Sequence, residues 1–427
     1  MEYRPRIADK LLADKLEAKG AVLIRGPKWC GKTTTAEQYA NSILYVSNPA
    51  QRENILQLAD MDPQQLLFGK TPRLLDEWQT IPVIWDAVRY EVDHRQATGQ
   101  FILTGSAVPY SKDSKVLHTG TGRFAIIDML PMSLSESGDS TAAVSLRALF
   151  EDPDSPVRGY SEVTLQDVAY LTCRGGWPFA VSADLSEKAS LSQAMDYVDL
   201  VVEEDISRVD KTERNAERAR KLMRSYARYQ GTQTPVSQIR KDIIANEQDS
   251  ITDDTINSYL NALRQIFVIK DLEAWNPNLQ SKSAIRTSPT RYFIDPSIAT
   301  ASLRIGPKDL MQDLKTFGFI FETLCIRDLR VYAQALDGDL YHYRDSNGLE
   351  CDAVLHLRNG KYGLIEIKLG GEKLIDEGAR NLKKLQSIID TSKMSEPSFL
   401  MVLTATGNYA YRRSDGVCVV PISTLGC

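Results

Sequence analysis

A glycine-rich loop at residues 26–33 constrains this chain more than any other segment. It has the sequence Gly-Pro-Lys-Trp-Cys-Gly-Lys-Thr, which fits the pattern G-x-x-x-x-G-K-[ST]. The apolar run at residues 21–25 before it is typical of a buried parallel strand, and residues 34–40 continue as a helix. In such a loop, backbone N–H groups turn inward around phosphate, and the helix N-terminus adds partial positive charge. The loop therefore predicts an ATP site whose contacts come from Gly26, Pro27, Lys28, Trp29, Cys30, Gly31, Lys32, Thr33 and Thr34.

Two carboxylates follow a second apolar stretch, within residues 72–79. At the carboxyl end of a parallel strand, Asp76 would complete the Mg²⁺ shell that Thr33 begins, and Glu77 would polarise the attacking water. Lys32 would reach the β- and γ-phosphates. An Asp-Glu pair alone usually marks a solvated strand end, so the preceding loop is what favours the hydrolytic interpretation.

A third strand, at residues 100–106, ends in small polar residues. Thr104 or Ser106 would sense the γ-phosphate through a hydrogen bond, with a simple strand-end turn as the alternative. Arg123 follows a glycine and precedes another apolar strand. It would act as an arginine finger on a neighbouring subunit's nucleotide, which requires a homo-oligomer. Exposed arginines without such a role are also common.

In this order, the four segments resemble those of a bacterial and archaeal AAA-type ATPase family whose members carry a C-terminal domain of unknown function, DUF4143. Residues 130–136, 174–178 and 204–206 match further, so the resemblance covers essentially the whole chain. It implies a RecA-like αβα core, a helical lid and an appended nuclease-like domain. Trp29 and Cys30 are unusual within the loop, but they occupy its variable positions.

The middle of the chain is locally basic and has the rhythm of a winged helix. Residues 211–242 contain nine Lys or Arg against three acids, in a chain of net charge −5, so any nucleic-acid surface must be local. Two short helices, at 236–243 and 255–265, precede wing strands at 267–272 and 290–295, and the stretch 276–289 between these strands would be the wing tip. We expect DNA contact here, although winged helices also dock proteins and charged helix faces also serve solubility.

The C-terminal part predicts a β-meander that carries a D…E-x-K set. Glu366 and Lys368 share one strand face by period two, and Asp352 on the neighbouring strand can face them. Asp352 and Glu366 would hold Mg²⁺, Lys368 would orient the attacking water, and Glu322 from the preceding helix would add a ligand. Gln386 on the following helix is a candidate neighbour of this site. The alternatives are an ordinary strand salt bridge and a nuclease-like fold that binds without cutting.

The expected fold class is α/β, with several domains in 427 residues. We expect a RecA-like AAA+ αβα P-loop core at 1–140, a helical lid at 141–212, a winged-helix domain at 213–305 and an α/β restriction-endonuclease-like domain at 306–427. No apolar run is long enough to span a membrane and no signal peptide is apparent. Six scattered cysteines favour reduced thiols in the cytoplasm.

The leading hypothesis is an ATPase with ATP and Mg as cofactors, which acts on duplex or branched DNA and places a nuclease-like module on it, in repair, recombination or defence. A first alternative is an ATP-driven switch with an inactive C-terminal domain that docks a protein. A second is a nucleotide-gated regulator that binds DNA without cutting it.

Overall fold

The computed structural model describes residues 2–106, 122–182, 184–209, 212–247, 250–277 and 285–427. Gly120 and Thr121 before Arg123, Lys211 of the basic segment and residues 278–284 of the expected wing tip lie outside the described residues. Within the described ranges, no helix is both long and apolar enough to cross a membrane.

The chain divides into two compact units, each built from segments that are not contiguous in sequence. The first unit contains Met1–Pro131, Glu203–Arg214 and Asn261–Val268, and the second contains Met132–Val202, Asn215–Leu260 and Ile269–Cys427. The four domain boundaries expected from the sequence remain predictions.

The N-terminal segment of the first unit alternates helices and strands, with short 3₁₀ turns at Pro63–Leu67 and Trp78–Thr80. In chain order its elements are α1 (Ile7–Ala18), β1 (Ala21–Arg25), α2 (Lys32–Glu37), β2 (Ser42–Tyr45), α3 (Arg52–Met61), β3 (Arg73–Asp76), α4 (Val83–Arg95), β4 (Phe101–Gly105) and β5 (Phe124–Asp128).

These strands form a parallel sheet in the order β2-β3-β4-β1-β5 within the described residues. Apolar residues of β1 face both sides, as period two requires. Val22 and Ile24 belong to the core that Leu12 of α1 lines, whereas Leu23 belongs to the core around Trp85 of α4. Helices therefore cover both faces of the sheet, which explains why its strands are continuously apolar. The expected α/β class is confirmed.

The carboxyl ends of these parallel strands meet at one edge of the sheet. The glycine-rich loop leaves β1 at this edge, and β3 ends there at Asp76. The register pairs Asp76 with Thr104 of β4, so the two side chains start from adjacent strands. Three of the segments singled out in the sequence are thereby brought together.

The chain between the two sheets is mainly helical, and several of its helices begin at polar caps. Thr164 and Asp167 form a capping box, and Asn215 accepts a hydrogen bond from the backbone of Arg218. A π-helical turn, Val201–Asp205, follows α8. The elements are α5 (Leu134–Ser137), β6 (Val144–Ser145), α6 (Leu146–Glu151), β7 (Gly159–Tyr160), α7 (Leu165–Arg174), α8 (Glu187–Leu200), α9 (Ile206–Arg208), α10 (Ala216–Arg228), α11 (Val236–Glu247), α12 (Asp253–Gln265), α13 (Pro296–Leu303) and α14 (Pro307–Gln312).

The C-terminal segment contains α15 (Leu314–Ala335), β8 (Gly338–Arg344), β9 (Glu350–Leu357), β10 (Tyr362–Lys368), α16 (Glu372–Ile388), β11 (Phe399–Thr404), β12 (Tyr409–Arg412), β13 (Cys418–Pro421) and β14 (Leu425–Gly426). The described strands form a sheet in the order β7-β12-β13-β11-β10-β9-β8. Strands β8, β9 and β10 make the expected antiparallel meander, and α16 then connects β10 to the parallel strand β11. Val354, Leu364 and Val402 of the sheet share a core with Leu382 and Leu385 of α16.

The two expected wing strands do not form a continuous ladder in the described residues. Their isolated antiparallel bridges are Ile269 with Phe293 and Leu272 with Thr290. Beyond them the chain joins β8, because Trp275 N donates to His342 O at 2.6 Å and Arg286 N donates to Arg344 O at 2.9 Å. Arg286 of the expected wing tip and Trp275 just before that tip therefore border the C-terminal sheet. The lid and the winged helix remain predictions.

Candidate functional sites

The glycine-rich loop is shaped by close backbone approaches and left-handed residues. A Cβ atom on Gly26 would lie 2.1 Å from the carbonyl oxygen of Met129, so this position requires glycine. Gly31 has φ 98° and starts α2 as its N-cap, while Trp29 has φ 66°. Arg6, the residue just before α1, donates to the carbonyl oxygen of Cys30 at 2.8 Å and so holds the loop near the start of that helix. The loop is thus rigidly held at the start of a helix, as an anion site requires.

Lys32 is nearly fully buried, with 5% of its surface exposed. Its ammonium donates to the carbonyl oxygens of Gly26 at 3.1 Å and Pro27 at 2.8 Å. The side chain therefore folds back over its own loop, beside the backbone groups that would surround a phosphate. This placement fits the predicted role of Lys32.

Asp76 accepts hydrogen bonds from two hydroxyl groups that were predicted to lie in the same site. The hydroxyls of Thr33 and Thr104 both donate to Asp76 Oδ1, at 2.7 and 2.6 Å. Asp76 is 7% exposed, so these two hydroxyl groups replace part of the hydration that its carboxylate loses. Hydroxyl and carboxylate oxygens are also the ligands that Mg²⁺ prefers, which means the residues present fit this ion.

Glu77 lies directly after β3 in a left-handed conformation, with φ 57°. Its Oε2 accepts hydrogen bonds from the side-chain amide of Gln79 at 2.5 Å and from the hydroxyl of Ser106 at 3.3 Å. The structure thus places Ser106, an alternative phosphate sensor in the sequence analysis, against the Glu77 carboxylate. Gln79 was missed, although its position two residues after Glu77 was the available signal.

Arg123 lies before the first residue of β5, and its carbonyl oxygen accepts from the backbone of Ala21. It is therefore at the amino edge of the sheet, opposite the glycine-rich loop. Its side chain pairs with Asp93 Oδ1 at 2.8 Å and is 46% exposed. Arg123 does not join its own chain's nucleotide site, and its action on a neighbouring subunit stays a prediction.

A further contact ties the loop to a later segment of the same unit. Lys28 Nζ lies 2.5 Å from Asp205 Oδ1. Asp205 belongs to the 204–206 segment that the sequence analysis matched to the family without giving it a role. Nothing local in the sequence predicts this pairing, because 177 residues separate the partners.

The C-terminal sheet brings Asp352, Glu366 and Lys368 together as period two predicted. Lys368 Nζ lies 2.7 Å from Glu366 Oε2 and 3.7 Å from Asp352 Oδ2, and Asp352 also accepts from the backbone of Ile367 at 2.7 Å. Glu366 is fully buried. Lys368 is the cation that faces both carboxylates, and Oε1 of Glu366 has no hydrogen-bond donor among the described residues.

Burial and neighbouring charge shift the protonation equilibria of this cluster. Burial, followed by the charge of Asp352, raises the pKa of Glu366 well above its usual value against the opposing effect of Lys368. The same two causes raise the pKa of Glu322. Burial acts to lower the pKa of Lys368, but Asp352 and Glu366 outweigh it and raise this pKa. The cluster therefore favours either a proton or an added cation.

Glu322 and Gln386 have other hydrogen-bond partners. The hydroxyl of Tyr292 donates to Glu322, and Gln386 on α16 accepts from Lys383 at 2.9 Å. No group of three or more His, Cys, Asp or Glu side chains in the described chain is arranged to hold a metal. The carboxylates of Asp352 and Glu366, which share one ammonium group, nevertheless fit Mg²⁺, which commonly binds one or two carboxylates and keeps several waters.

The basic segment around α10 has its charges largely matched by partners. Most of its described cations contact acids or backbone carbonyls, which reduces the charge available to a phosphate backbone. The contacts are Arg214 with the carbonyl of Ile206, Arg218 with that of Ser250, Arg220 with Asp199, Lys221 with Glu217, Arg228 with Asp242 and Arg240 with Asp253.

Three family models match consecutive parts of the chain. They are an AAA domain at residues 18–138, a domain of unknown function (DUF8612) at 165–309 and a domain of unknown function (DUF4143) at 317–425. The DUF8612 model treats as one domain a segment that the sequence analysis divides between lid and winged helix.

Similar chains occur in mycobacteria and archaea. Uncharacterized proteins of Mycobacterium bovis and Mycobacterium tuberculosis are each 23% identical over 422 residues, which are 98% of this chain and 84% of the relative. A Walker-type ATPase of Pyrococcus abyssi aligns at TM-score 0.44 and 15% identity, over 71% of this chain and 99% of its own. The ORC2 protein of Aeropyrum pernix aligns at TM-score 0.28 and 9% identity, over 61% and 84%.

The AAA model covers the glycine-rich loop, Asp76, Glu77 and Thr104, and the DUF4143 model covers Asp352, Glu366 and Lys368. Both ends of the chain thus match the families that the motifs indicated. The chain therefore combines an AAA domain at residues 18–138 with a DUF4143 domain at residues 317–425.

Proposed function

We propose that the chain binds Mg²⁺-ATP in the glycine-rich loop and hydrolyses it. The observation that carries the proposal is the junction of Thr33 and Thr104 on Asp76, at 2.7 and 2.6 Å. It collects oxygen ligands at the carboxyl edge of a parallel sheet, next to a helix N-terminus that favours phosphate. The AAA domain match supports the same role.

Each residue of this site has a distinct task in the proposal. Lys32 and the loop's backbone N–H groups bind the β- and γ-phosphates, while Thr33 and Asp76 hold Mg²⁺. The bound ion supplies charge neutralisation between the phosphates. Glu77 accepts the proton of the attacking water through its carboxylate, which Gln79 and Ser106 hold at Oε2.

Phosphate release by the full chain tests this proposal. Glu77→Gln should keep Mg²⁺-ATP affinity and lower hydrolysis by about 100-fold, a typical size for a general base. Glu53→Gln removes an exposed carboxylate from α3 and serves as the control. An equal rate for Glu77→Gln and the wild type would overturn the role of Glu77.

A second candidate function rests on the C-terminal cluster. We propose that Asp352 and Glu366 hold Mg²⁺ for cleavage of DNA, duplex or branched, with Lys368 orienting water. The full burial of Glu366 beside a second carboxylate, Asp352, favours this reading over an ordinary strand salt bridge. The ATPase unit would then move or remodel the DNA that this module engages, in a homo-oligomer if Arg123 acts on a neighbouring subunit.

Nicking assays on duplex, forked and four-way junction DNA with Mg²⁺ and ATP test this second function. Glu366→Gln should abolish cutting while ATP hydrolysis continues. Glu350→Gln is the matched control, because Glu350 lies on the same strand as Asp352, is exposed and pairs loosely with Arg344 at 3.6 Å. Absence of cutting by the wild type would favour a nucleotide-gated switch or regulator whose C-terminal domain binds protein or DNA without cutting.

A further inference from the structure

The phosphate loop carries a second lysine whose partner is a buried carboxylate. Lys28 Nζ lies 2.5 Å from Asp205 Oδ1. The Asp205 side chain is 10% exposed, whereas that of Lys28 is 45% exposed. The carboxylate of this ion pair is therefore held in a buried position, whereas the lysine side chain is accessible to solvent.

Asp205 is fixed by its surroundings. It ends the π-helical turn Val201–Asp205, a type of distortion that often marks functional positions. Ile206 after it is fully buried, its carbonyl oxygen accepts from Arg214 at 2.7 Å, and the hydroxyl of Ser207 accepts from the backbone of Arg214 at 3.0 Å. The chain just after Asp205 is thus anchored through Arg214, whereas Lys28 holds the Asp205 carboxylate itself.

Lys28 occupies the third position of the glycine-rich loop, two residues beyond Gly26. The loop's two lysines have different partners. Lys32 donates to carbonyl oxygens of the same loop, whereas Lys28 pairs with the carboxylate of Asp205. A polyphosphate bound in the loop carries several negative charges within reach of a flexible lysine side chain. The phosphates and Asp205 then compete for one ammonium group.

We propose that Lys28 is a second phosphate-binding cation of the nucleotide site and that Asp205 competes with the polyphosphate for it. This inference rests on the proposed binding of Mg²⁺-ATP. Asp205 lowers the affinity for nucleotide, and nucleotide binding in turn removes the ion pair that ties the segment Glu203–Arg214 to the loop.

Titration of the full chain with Mg²⁺ and a non-hydrolysable ATP analogue measures this competition. Asp205→Asn frees Lys28 and should tighten binding about three- to tenfold, in the range of partly buried charge pairs. Lys28→Ala should weaken binding. In the Lys28→Ala background, Asp205→Asn should have no further effect, because the competing cation is gone.

Glu204→Gln is the matched control. Its carboxylate lies next to Asp205, is 48% exposed and pairs with Arg208 at 3.0 Å, so its loss changes the net charge equally without freeing Lys28. Tightening by this variant as well would show a general charge effect and overturn the inference. Weaker or unchanged binding by Asp205→Asn would also overturn it, as would tightening that persists without Lys28.

Amide hydrogen exchange of the wild type provides a test that needs no variant. With the Mg²⁺-bound analogue, amides of residues 203–209 should exchange faster than in the free protein, because the tie to Lys28 is lost. Unchanged or slower exchange there would contradict the competition. A wild-type chain that binds no analogue would overturn the proposed function and this inference together, whereas equal affinities of the variants would overturn the inference alone.

Discussion

Asp76 and Glu366 are both carboxylates that a strand carries into the interior, yet their surroundings differ. Asp76 receives two hydroxyl donors, from Thr33 and Thr104. Glu366 has one ammonium group 2.7 Å from Oε2, and its Oε1 has no hydrogen-bond donor among the described residues. A carboxylate with donors is stable before its ligand arrives, whereas a buried one without them is destabilised until a proton or cation compensates it.

Of these two carboxylates, removal of that of Asp76 should have the larger effect on catalysis. Asp76→Asn keeps an acceptor for Thr33 and Thr104 but loses the charge that Mg²⁺ requires. We expect ATP hydrolysis to fall by about 100-fold or more, measured as phosphate release at saturating Mg²⁺. Far-ultraviolet circular dichroism should match the wild type, and an unchanged hydrolysis rate would remove Asp76 from the site.

Substitution of Glu366 should change the stability of the protein. In metal-free buffer near neutral pH, Glu366→Gln should raise the free energy of unfolding by about 1–3 kcal/mol, because it removes one of two carboxylates that share a buried site with a single ammonium group. Urea unfolding of the two proteins measures the difference. Added Mg²⁺ should stabilise the wild type and not the variant. Glu350→Gln should leave both results unchanged, and a loss of stability in Glu366→Gln would show that its pair with Lys368 dominates.

The same comparison predicts a pH dependence. Burial and Asp352 raise the folded-state pKa of Glu366 above its unfolded value of about 4.3. Its favourable contribution is therefore fully present below that value and is lost as pH rises through the folded-state pKa. The wild type should lose stability relative to Glu366→Gln as pH increases, and the two should converge in acid. A difference that is constant with pH would contradict the raised pKa.

Arg123 should have the smallest effect on the isolated nucleotide site. Because Arg123 lies at the amino edge of the sheet and pairs with half-buried Asp93, Arg123→Ala should change Mg²⁺-ATP affinity less than about twofold. Titration at low protein concentration checks this. A large loss of affinity there would mean that Arg123 reaches its own nucleotide. A loss of hydrolysis only at high protein concentration would support the finger in a homo-oligomer.

Local sequence patterns were enough to predict the parts of each site that lie within one element or on adjacent strands. The loop spacing identified Lys32 and Thr33, and period two placed Glu366 and Lys368 on one face of β10. Asp76 and Thr104 followed from the rule that parallel strands end at one edge.

Contacts between distant segments could not be predicted in this way. The pair of Lys28 and Asp205 depends on how a later segment returns to the first unit. Trp275 lies between an expected wing strand and the wing tip expected at residues 276–289, yet it packs into the core of the C-terminal sheet. Its apolar character alone does not say which of several surfaces will bury it, since burial is not directional. Tertiary packing therefore determines which surface buries each apolar side chain, and hydrophobic periodicity alone does not predict it.

The central claim is that Lys32 and its loop bind Mg²⁺-ATP, and calorimetric titration of the full chain tests it most directly. The wild type should bind Mg²⁺-ATP, and Lys32→Ala should weaken binding by about 100-fold or more, because a charged hydrogen-bonding partner of the phosphates is lost in a nearly buried position. Equal affinity of Lys32→Ala and the wild type would contradict the account.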